Sequence, residues 1–294
     1  MVTDTVMKHA ENWVFLGDSL TEGIGSSRIT FVTELARALR ESGNGRSVHD
    51  VRLREVDPET FNQYIRVNLA GYLQLDAKRG PSPLWLWNLG CEGRTIETDL
   101  QWLPLLQSLR PERVFVHRGS LESILRPSCW SDGRWPSWVP LSWRGLVSMD
   151  PRCYFSDTWY RRIKQTAVDR LRQRARHRLL RQGSPRPHQD IDTIAAHYAT
   201  LLTGLRDLPT AITILGLLPP DQRTFPGSAA QFLAVNGRLR SLAAEYGVDF
   251  LDWSTQFDPR GQALFYRDGF HPNAAGASRL AAILHDRLGR QAVA

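Results

Sequence analysis

Trp13-Val14-Phe15-Leu16-Gly17-Asp18-Ser19-Leu20-Thr21-Glu22-Gly23-Ile24-Gly25 carries four apolar residues straight into Gly-Asp-Ser, and helical spacing resumes at Phe31-Val32-Thr33-Glu34-Leu35. A short buried strand, a tight polar turn and a helix place Ser19 just beyond the carboxyl end of the strand, the edge at which open α/β sheets bind ligands. Gly17 is free to adopt backbone angles that other residues resist, and the N–H groups of such a turn can face an anion. Ser19 is therefore a candidate nucleophile, provided that a base reaches it. The competing reading is that Asp18 and Ser19 only cap the following helix, as these residue types commonly do.

The totals bound the class. Hydrophobic residues make up 42% of the 294 and charged residues 23%, ordinary values for a globular chain. Lys and Arg number 37 against 30 Asp and Glu, for a net charge of +7 that comes more from arginine than from lysine. Such a balance suits phosphate or carboxylate partners: nucleic acid, a coenzyme, an acidic carrier protein or an anionic membrane surface. There is no run of 18 apolar residues, so no membrane span is expected, and Met1–Asn12 lacks the apolar core of a secretory signal. Three cysteines (Cys91, Cys129 and Cys153) without metal-ligand spacing argue against a disulfide scaffold or a zinc site. The expectation is a cytoplasmic protein without a metal or other cofactor.

Outward from the opening stretch, Phe31–Ser42 reads as a helix closed by Gly43-Asn44-Gly45. Val51–Val56 alternates like a strand, and Glu59–Leu75 has helical character. Pro83–Leu89 is a second apolar run, ending in the glycine-bearing turn Gly90-Cys91-Glu92-Gly93-Arg94-Thr95, with helical spacing from Ile96 to Leu109. Arg113-Val114-Phe115-Val116-His117-Arg118-Gly119-Ser120 repeats the strand-then-glycine pattern. Three such units predict a mostly parallel sheet with crossover helices. The pattern resumes at Ala211–Leu218 and Val248–Trp253, with helices at Ala229–Tyr246 and Ala274–Leu288, giving five strands in all.

Between them, about 126–187, the chain is rich in Trp, Arg, Pro and Ser, and Trp159–Arg181 reads as a strongly basic helix. Long connections of this kind tend to be lids or binding segments. The expectation is one domain over 1–294 with this segment inserted over the active edge. Trp130, Trp135, Trp138 and Trp143 either line a pocket or bury the lid.

Asp268-Gly269-Phe270-His271-Pro272-Asn273 follows the last strand. A carboxylate three residues before an imidazole, in a Gly- and Pro-containing turn, can fold back to hold one ring nitrogen protonated and leave the other to take a proton from Ser19. With Gly17-Asp18-Ser19-Leu20, Asn88–Thr95 and Asp268/His271 in order, the sequence resembles the SGNH (GDSL-type) hydrolases over nearly its whole length apart from the insertion. The resemblance implies a three-layer α/β/α flavodoxin-like fold and acyl-ester chemistry through an acyl-serine, without a metal. It implies Ser19 as nucleophile, His271 as base and Asp268 as the orienting carboxylate. The N–H groups of Ser19 and Gly93 form the oxyanion hole, with Gly90 as the alternative glycine, and Asn236 is the family's structural helical asparagine.

The third block departs from the family. Gly-x-Asn-Asp is replaced by Gly119-Ser120-Leu121-Glu122, and leucine has no donor to offer an oxyanion. One lost donor costs about 10²–10³ in rate. Ser120 and Arg118 are the substitute candidates; alternatively two N–H donors suffice for an activated ester or thioester, or hydrolysis has been lost. Cys91 reads as packing beside the turn, His117 as either a site-facing or a core histidine, and Glu122 as an orienting group. The leading expectation is an esterase or deacylase acting on an acylated sugar or small metabolite. The alternatives are an acyltransferase drawing on an acidic carrier protein or coenzyme A at the basic segment, and a non-catalytic polyanion-binding module. Nucleic acid is disfavoured, because no nucleic-acid motif accompanies the basic residues.

Overall fold

The computed structural model describes residues 11–23, 29–42, 46–52, 83–144, 158–255, 257 and 264–293. The helix expected at Glu59–Leu75 and the Gly43–Gly45 stop lie outside these residues.

A wholly parallel six-stranded sheet runs in the order β2-β3-β1-β4-β5-β6, formed by β1 (Glu11–Gly17), β2 (Val48–Arg52), β3 (Leu84–Gly90), β4 (Arg113–His117), β5 (Ala211–Leu215) and β6 (Asp249–Leu251). Five strands were expected. The sixth is β2, which pairs Val48 with Leu84 at the sheet edge and ends at Arg52. Only Val48 of β2 is fully buried, so an edge strand carrying His49, Asp50 and Arg52 has a weak hydrophobic signature.

The side-chain alternation of β1 builds the two cores. Trp13 and Phe15 point to one face, where they meet Phe31 and Leu35 of helix Phe31–Glu41 (α2) and Leu280 and Leu284 of the terminal helix, Ala274–Val293. Val14 and Leu16 point to the other face. There they meet Leu105 and Leu106, Ile194 and Tyr198 of Ile191–Leu205, and Phe232 and Leu239 of Ser228–Tyr246. The intervening short helix α1 is Ser19–Glu22. The helices on the second face are α3 (Ile96–Asp99), α4 (Leu103–Leu109), α8 (Ile191–Leu205) and α9 (Ser228–Tyr246); the terminal helix is α10. Because each sheet face is covered, most core strands read as nearly continuous apolar runs.

β2 and β3 lie on one side of β1 and β4–β6 on the other. The chain therefore switches sides after β3, which opens a crevice at the carboxyl ends of β3, β1 and β4. The turns after these three strands hold Gly90–Arg94, Asp18–Ser19 and Arg118–Ser120 respectively.

Residues 126–186 leave and return at one point. Arg126 and Arg186 exchange backbone hydrogen bonds of 2.8 and 3.0 Å. After α5 (Ser120–Ser123), the described residues between them form the short helix α6 (Cys129–Asp132), a 3-10 turn at Leu141–Trp143 and the 24-residue α7 (Trp159–Gln182). The tryptophans pack this segment: Trp130, Trp135 and Trp143 surround Cys129, Val139, Ala175 and Leu179. Arginines stack on them, Arg126 over Trp130 at 5.1 Å and Arg172 over Trp143 at 5.8 Å.

Candidate active site

Asp18 caps α1, its Oδ1 accepting the Leu20 N–H at 2.9 Å, so the capping reading of the Asp-Ser pair holds for Asp18. Ser19 begins that helix and points elsewhere. Its Oγ lies 2.8 Å from Nε2 of His271, and Nδ1 of His271 lies 2.6 Å from Oδ2 of the buried Asp268. Asp268 Oδ1 accepts the N–H groups of Phe270 and His271 at 3.0 and 3.1 Å, which fixes the carboxylate inside its own turn. A carboxylate only accepts, so His271 carries its proton on Nδ1 and presents Nε2 as an acceptor to the Ser19 hydroxyl. The arrangement is capable of removing the serine proton as a carbonyl is attacked.

Gly17 departs from the expectation. It does not adopt a positive φ; it is required because a Cβ there would stand 1.9 Å from Thr21 Oγ1. The first turn of α1 therefore folds directly onto the strand end, which sets where Ser19 emerges.

The β3 turn separates the two candidate glycines. Gly90 N–H donates to Asn88 Oδ1 at 2.9 Å and is thereby committed. Gly93, exposed and at φ +73°, makes no such bond among the described residues and adopts a conformation that L side chains resist. Three side chains fasten this turn. Glu22 accepts the Glu92 N–H at 2.7 Å, Asn88 Nδ2 donates to Thr21 O at 2.8 Å, and Arg118 Nη1 donates to the carbonyls of Cys91 and Arg94 at 3.3 and 2.9 Å.

Arg118 is thus placed differently from a free donor. It has no solvent exposure, and its Nε and Nη2 form a fork with Asp99 at 2.6 and 2.7 Å. Burial pushes the Asp99 carboxyl up, and the guanidinium opposes that rise; the Asp99 charge in turn holds Arg118 firmly protonated. Tyr198 brackets the same residue, accepting its N–H and donating to its carbonyl, and burial pushes the phenol up. Ser120 is fully buried, and its Oγ has no hydrogen-bond partner among the described residues. Leu121 is half-buried, and its carbonyl accepts from Arg126.

Glu122 binds the Ile96 N–H at 2.8 Å, tying the block to the start of α3, and burial lifts its carboxyl to about 7. His117 is a core residue. It contacts Thr21 Oγ1 at 3.3 Å, packs edge-on to Trp253 and is held neutral by burial, which lowers its pKa. Cys91 is buried, as packing requires. Asn236 grips the Leu217 backbone through both its oxygen and its amide, the structural part assigned to it. A groove of about 610 Å³ lined by Pro219, Pro220, Asp221 and Leu233 adjoins the Asp268 turn through the Asp221 N–H to Gly269 O bond.

Glu22, Asn88 and the Arg118–Asp99 pair were not foreseen. Asn88 alone carried a signal, as a polar residue within the apolar strand Leu84–Gly90.

Fold and site together give a parallel α/β sheet with a serine, a histidine and an aspartate in line at its carboxyl edge. Residues 156–279 match the GDSL-like lipase/acylhydrolase family, a span that holds Asp268 and His271 and begins after Ser19. No curated protein matches the chain. Among solved structures it is similar to Axe2, an acetylxylan esterase from Geobacillus stearothermophilus, at 14% identity and a TM-score of 0.53 over 95% of this chain and 94% of that one. It is also similar to TesA at 14% and 0.51, over 95% and 99% of the two chains. The acetyl xylan esterase AlAXEase matches at 13% and 0.51, over 94% and 99%. The chain is thus similar to GDSL-like acylhydrolases over residues 156–279 and shares its fold with these structures. Among the described residues no helix is long and apolar enough to cross a membrane, and no cluster of His, Cys, Asp or Glu is arranged to hold a metal.

Proposed function

We propose that the protein is a serine esterase that cleaves small acyl esters through an acyl-Ser19 intermediate. The observation that carries this reading is the continuous chain Ser19 Oγ–His271 Nε2–Asp268 at 2.8 and 2.6 Å. His271 takes the Ser19 proton as Oγ bonds to the acyl carbon. The oxyanion is held by the Ser19 and Gly93 N–H groups, and the buried Ser120 hydroxyl, without a partner among the described residues, is the candidate substitute for the family's asparagine. The C–O bond then breaks, and His271 returns its proton to the departing alcohol. Water repeats the sequence in reverse roles, and the acid leaves. The likeness to the acetylxylan esterases Axe2 and AlAXEase favours a short acyl group on a sugar or small alcohol. Segment 126–187 is read as an insertion in a single domain, supported by the Arg126–Arg186 closure.

The test is intact-protein mass after exposure of wild type and Ser19→Ala to a fluorophosphonate, followed by turnover of p-nitrophenyl acetate. An adduct on wild type alone, with hydrolysis lowered at least about 10⁴-fold in the variant, is the expected result. Equal labelling of both would refute the assignment of Ser19. Acyl groups passed mainly to an added alcohol or thiol, rather than to water, would convert the reading to an acyltransferase.

A further inference from the structure

The outer face of α7 is built in two halves. Trp159, Ile163 and Ala167 continue into Arg170, Arg174, Arg178 and Arg181 at spacings of four or three, and every one of these positions is exposed. Such spacing aligns them in one stripe along the helix. Trp159 is 71% exposed and Ile163 61%, and Tyr160 and Leu171 flank them at 55% and 52%. Scattered apolar residues on a surface need no explanation, but an aligned aromatic and aliphatic patch does. The inward face is already occupied. Ala175, Leu179 and Leu180 are buried, and Arg176 donates to the Thr224 and Leu125 carbonyls.

This face connects to the catalytic edge. Arg267, which precedes Asp268, donates to Thr166 Oγ1 of α7 at 2.7 Å, and Gln173 donates to the Arg223 carbonyl beside the Asp221–Gly269 contact. A load on α7 is therefore set against the turn that holds Asp268 and His271.

We propose that the outer face of α7 docks the protein on an anionic lipid bilayer. The charge pattern selects this occupant. Arg170, Arg174, Arg178 and Arg181 match headgroup phosphates, whereas Trp159, Tyr160, Ile163 and Leu171 match the apolar and interfacial layers beneath them. Nucleic acid would use the arginines and leave the aliphatic patch in water. A coiled-coil partner would require the apolar stripe to continue where the arginines stand. No acidic residue occupies an exposed position of the stripe: Asp169 is half-buried, 3.7 Å from Arg172. The inference deepens the proposed esterase reading by making esters held in such a surface its substrate class, and docking itself does not depend on Ser19.

Full-length Ser19→Ala protein is sedimented with vesicles of phosphatidylcholine alone and of phosphatidylcholine with an equal part of phosphatidylglycerol. Binding to the anionic vesicles only is expected. Reversing Arg170, Arg174 and Arg178 to Glu should weaken it by about a hundredfold or more, at roughly fivefold per lost charge. The pair Trp159→Ala and Ile163→Ala should weaken it at least about tenfold, including at raised salt. Leu171→Ala replaces that pair if circular dichroism shows it misfolded. Absence of preference for anionic vesicles overturns the proposal. So does binding that survives the apolar substitutions and is competed away by soluble heparin or polyglutamate, which would mark a polyanion or acidic-protein site. Vesicle binding without fluorophosphonate labelling of wild type sinks the acyl-serine reading and keeps the docking face; labelling without vesicle binding does the opposite.

Discussion

Arg118 and Asp99 meet in a fork of 2.6 and 2.7 Å with neither side chain exposed to solvent, and the same guanidinium holds the carbonyls of Cys91 and Arg94 on either side of Gly93. The pair links the turn after β4 to the turn after β3, across β1, so the position of the Gly93 N–H depends on a buried charge in a turn two strands away. Removing one member of such a pair leaves an uncompensated charge in the core and costs about 3–5 kcal/mol. Arg118→Met should therefore lower the melting temperature sharply. Arg118→Lys keeps the charge but cannot span both carboxylate oxygens and both carbonyls. It should lose more ester hydrolysis than stability, measured at a temperature where both proteins are folded.

Gly93→Ala isolates the turn from the core. A Cβ at Gly93 meets nothing within 4 Å, so the cost is backbone strain at φ +73°, about 1–2 kcal/mol. The variant should fold with a modest drop in melting temperature. If its N–H faces the oxyanion, kcat should fall by up to about 10²-fold while KM changes little. An unchanged kcat would remove Gly93 from the oxyanion hole.

Ser120 and Leu121 can be tested against each other. With Ser120 as the third donor, Ser120→Ala should lower kcat by about 10²-fold with little unfolding, because its hydroxyl has no other partner among the described residues. Adding Leu121→Asn to that variant restores the family's donor and should recover at least about tenfold. If Ser120→Ala is fully active, two backbone donors suffice.

Glu122 predicts a pH dependence of stability. Burial raises its carboxyl from 4.5 to about 7, so between these values the folded protein holds a proton that the unfolded chain has released. Stability contributed by this group is therefore complete below pH 4.5 and falls as pH rises toward 7, by roughly 3 kcal/mol at most. Glu122→Gln retains an acceptor for the Ile96 N–H and cannot ionise. The melting temperature of wild type minus that of Glu122→Gln should decline across this window; a flat difference would show that Glu122 titrates normally.

Much of the framework was legible because local chemistry carried it. Apolar runs ending in glycine located β1, β3 and β4, and Trp159–Arg181 was read within one residue of the helix found. The edge strand was read as strand-like alternation at Val51–Val56 but left out of the count of five; its pairing with β3 runs over Val48–Arg52, and with one buried residue its bounds leave little mark in the sequence. The part played by Gly17 was misjudged because its constraint is the Thr21 side chain rather than its own φ.

The sequence by itself determined a parallel α/β sheet and supplied Gly-Asp-Ser and Asp-x-x-His at the ends of the chain, since strand hydrophobicity and turn chemistry are properties of neighbouring residues. Only the tertiary structure decided that Ser19 and His271, 252 positions apart, stand 2.8 Å from each other. It alone turned Arg118 from a candidate donor into the buried clamp of the Gly93 turn. The physical reason is the same in both cases. A side chain's partner is set by which strands the crossovers make adjacent, and a guanidinium enclosed with Asp99 binds whatever carbonyls share its low-dielectric pocket.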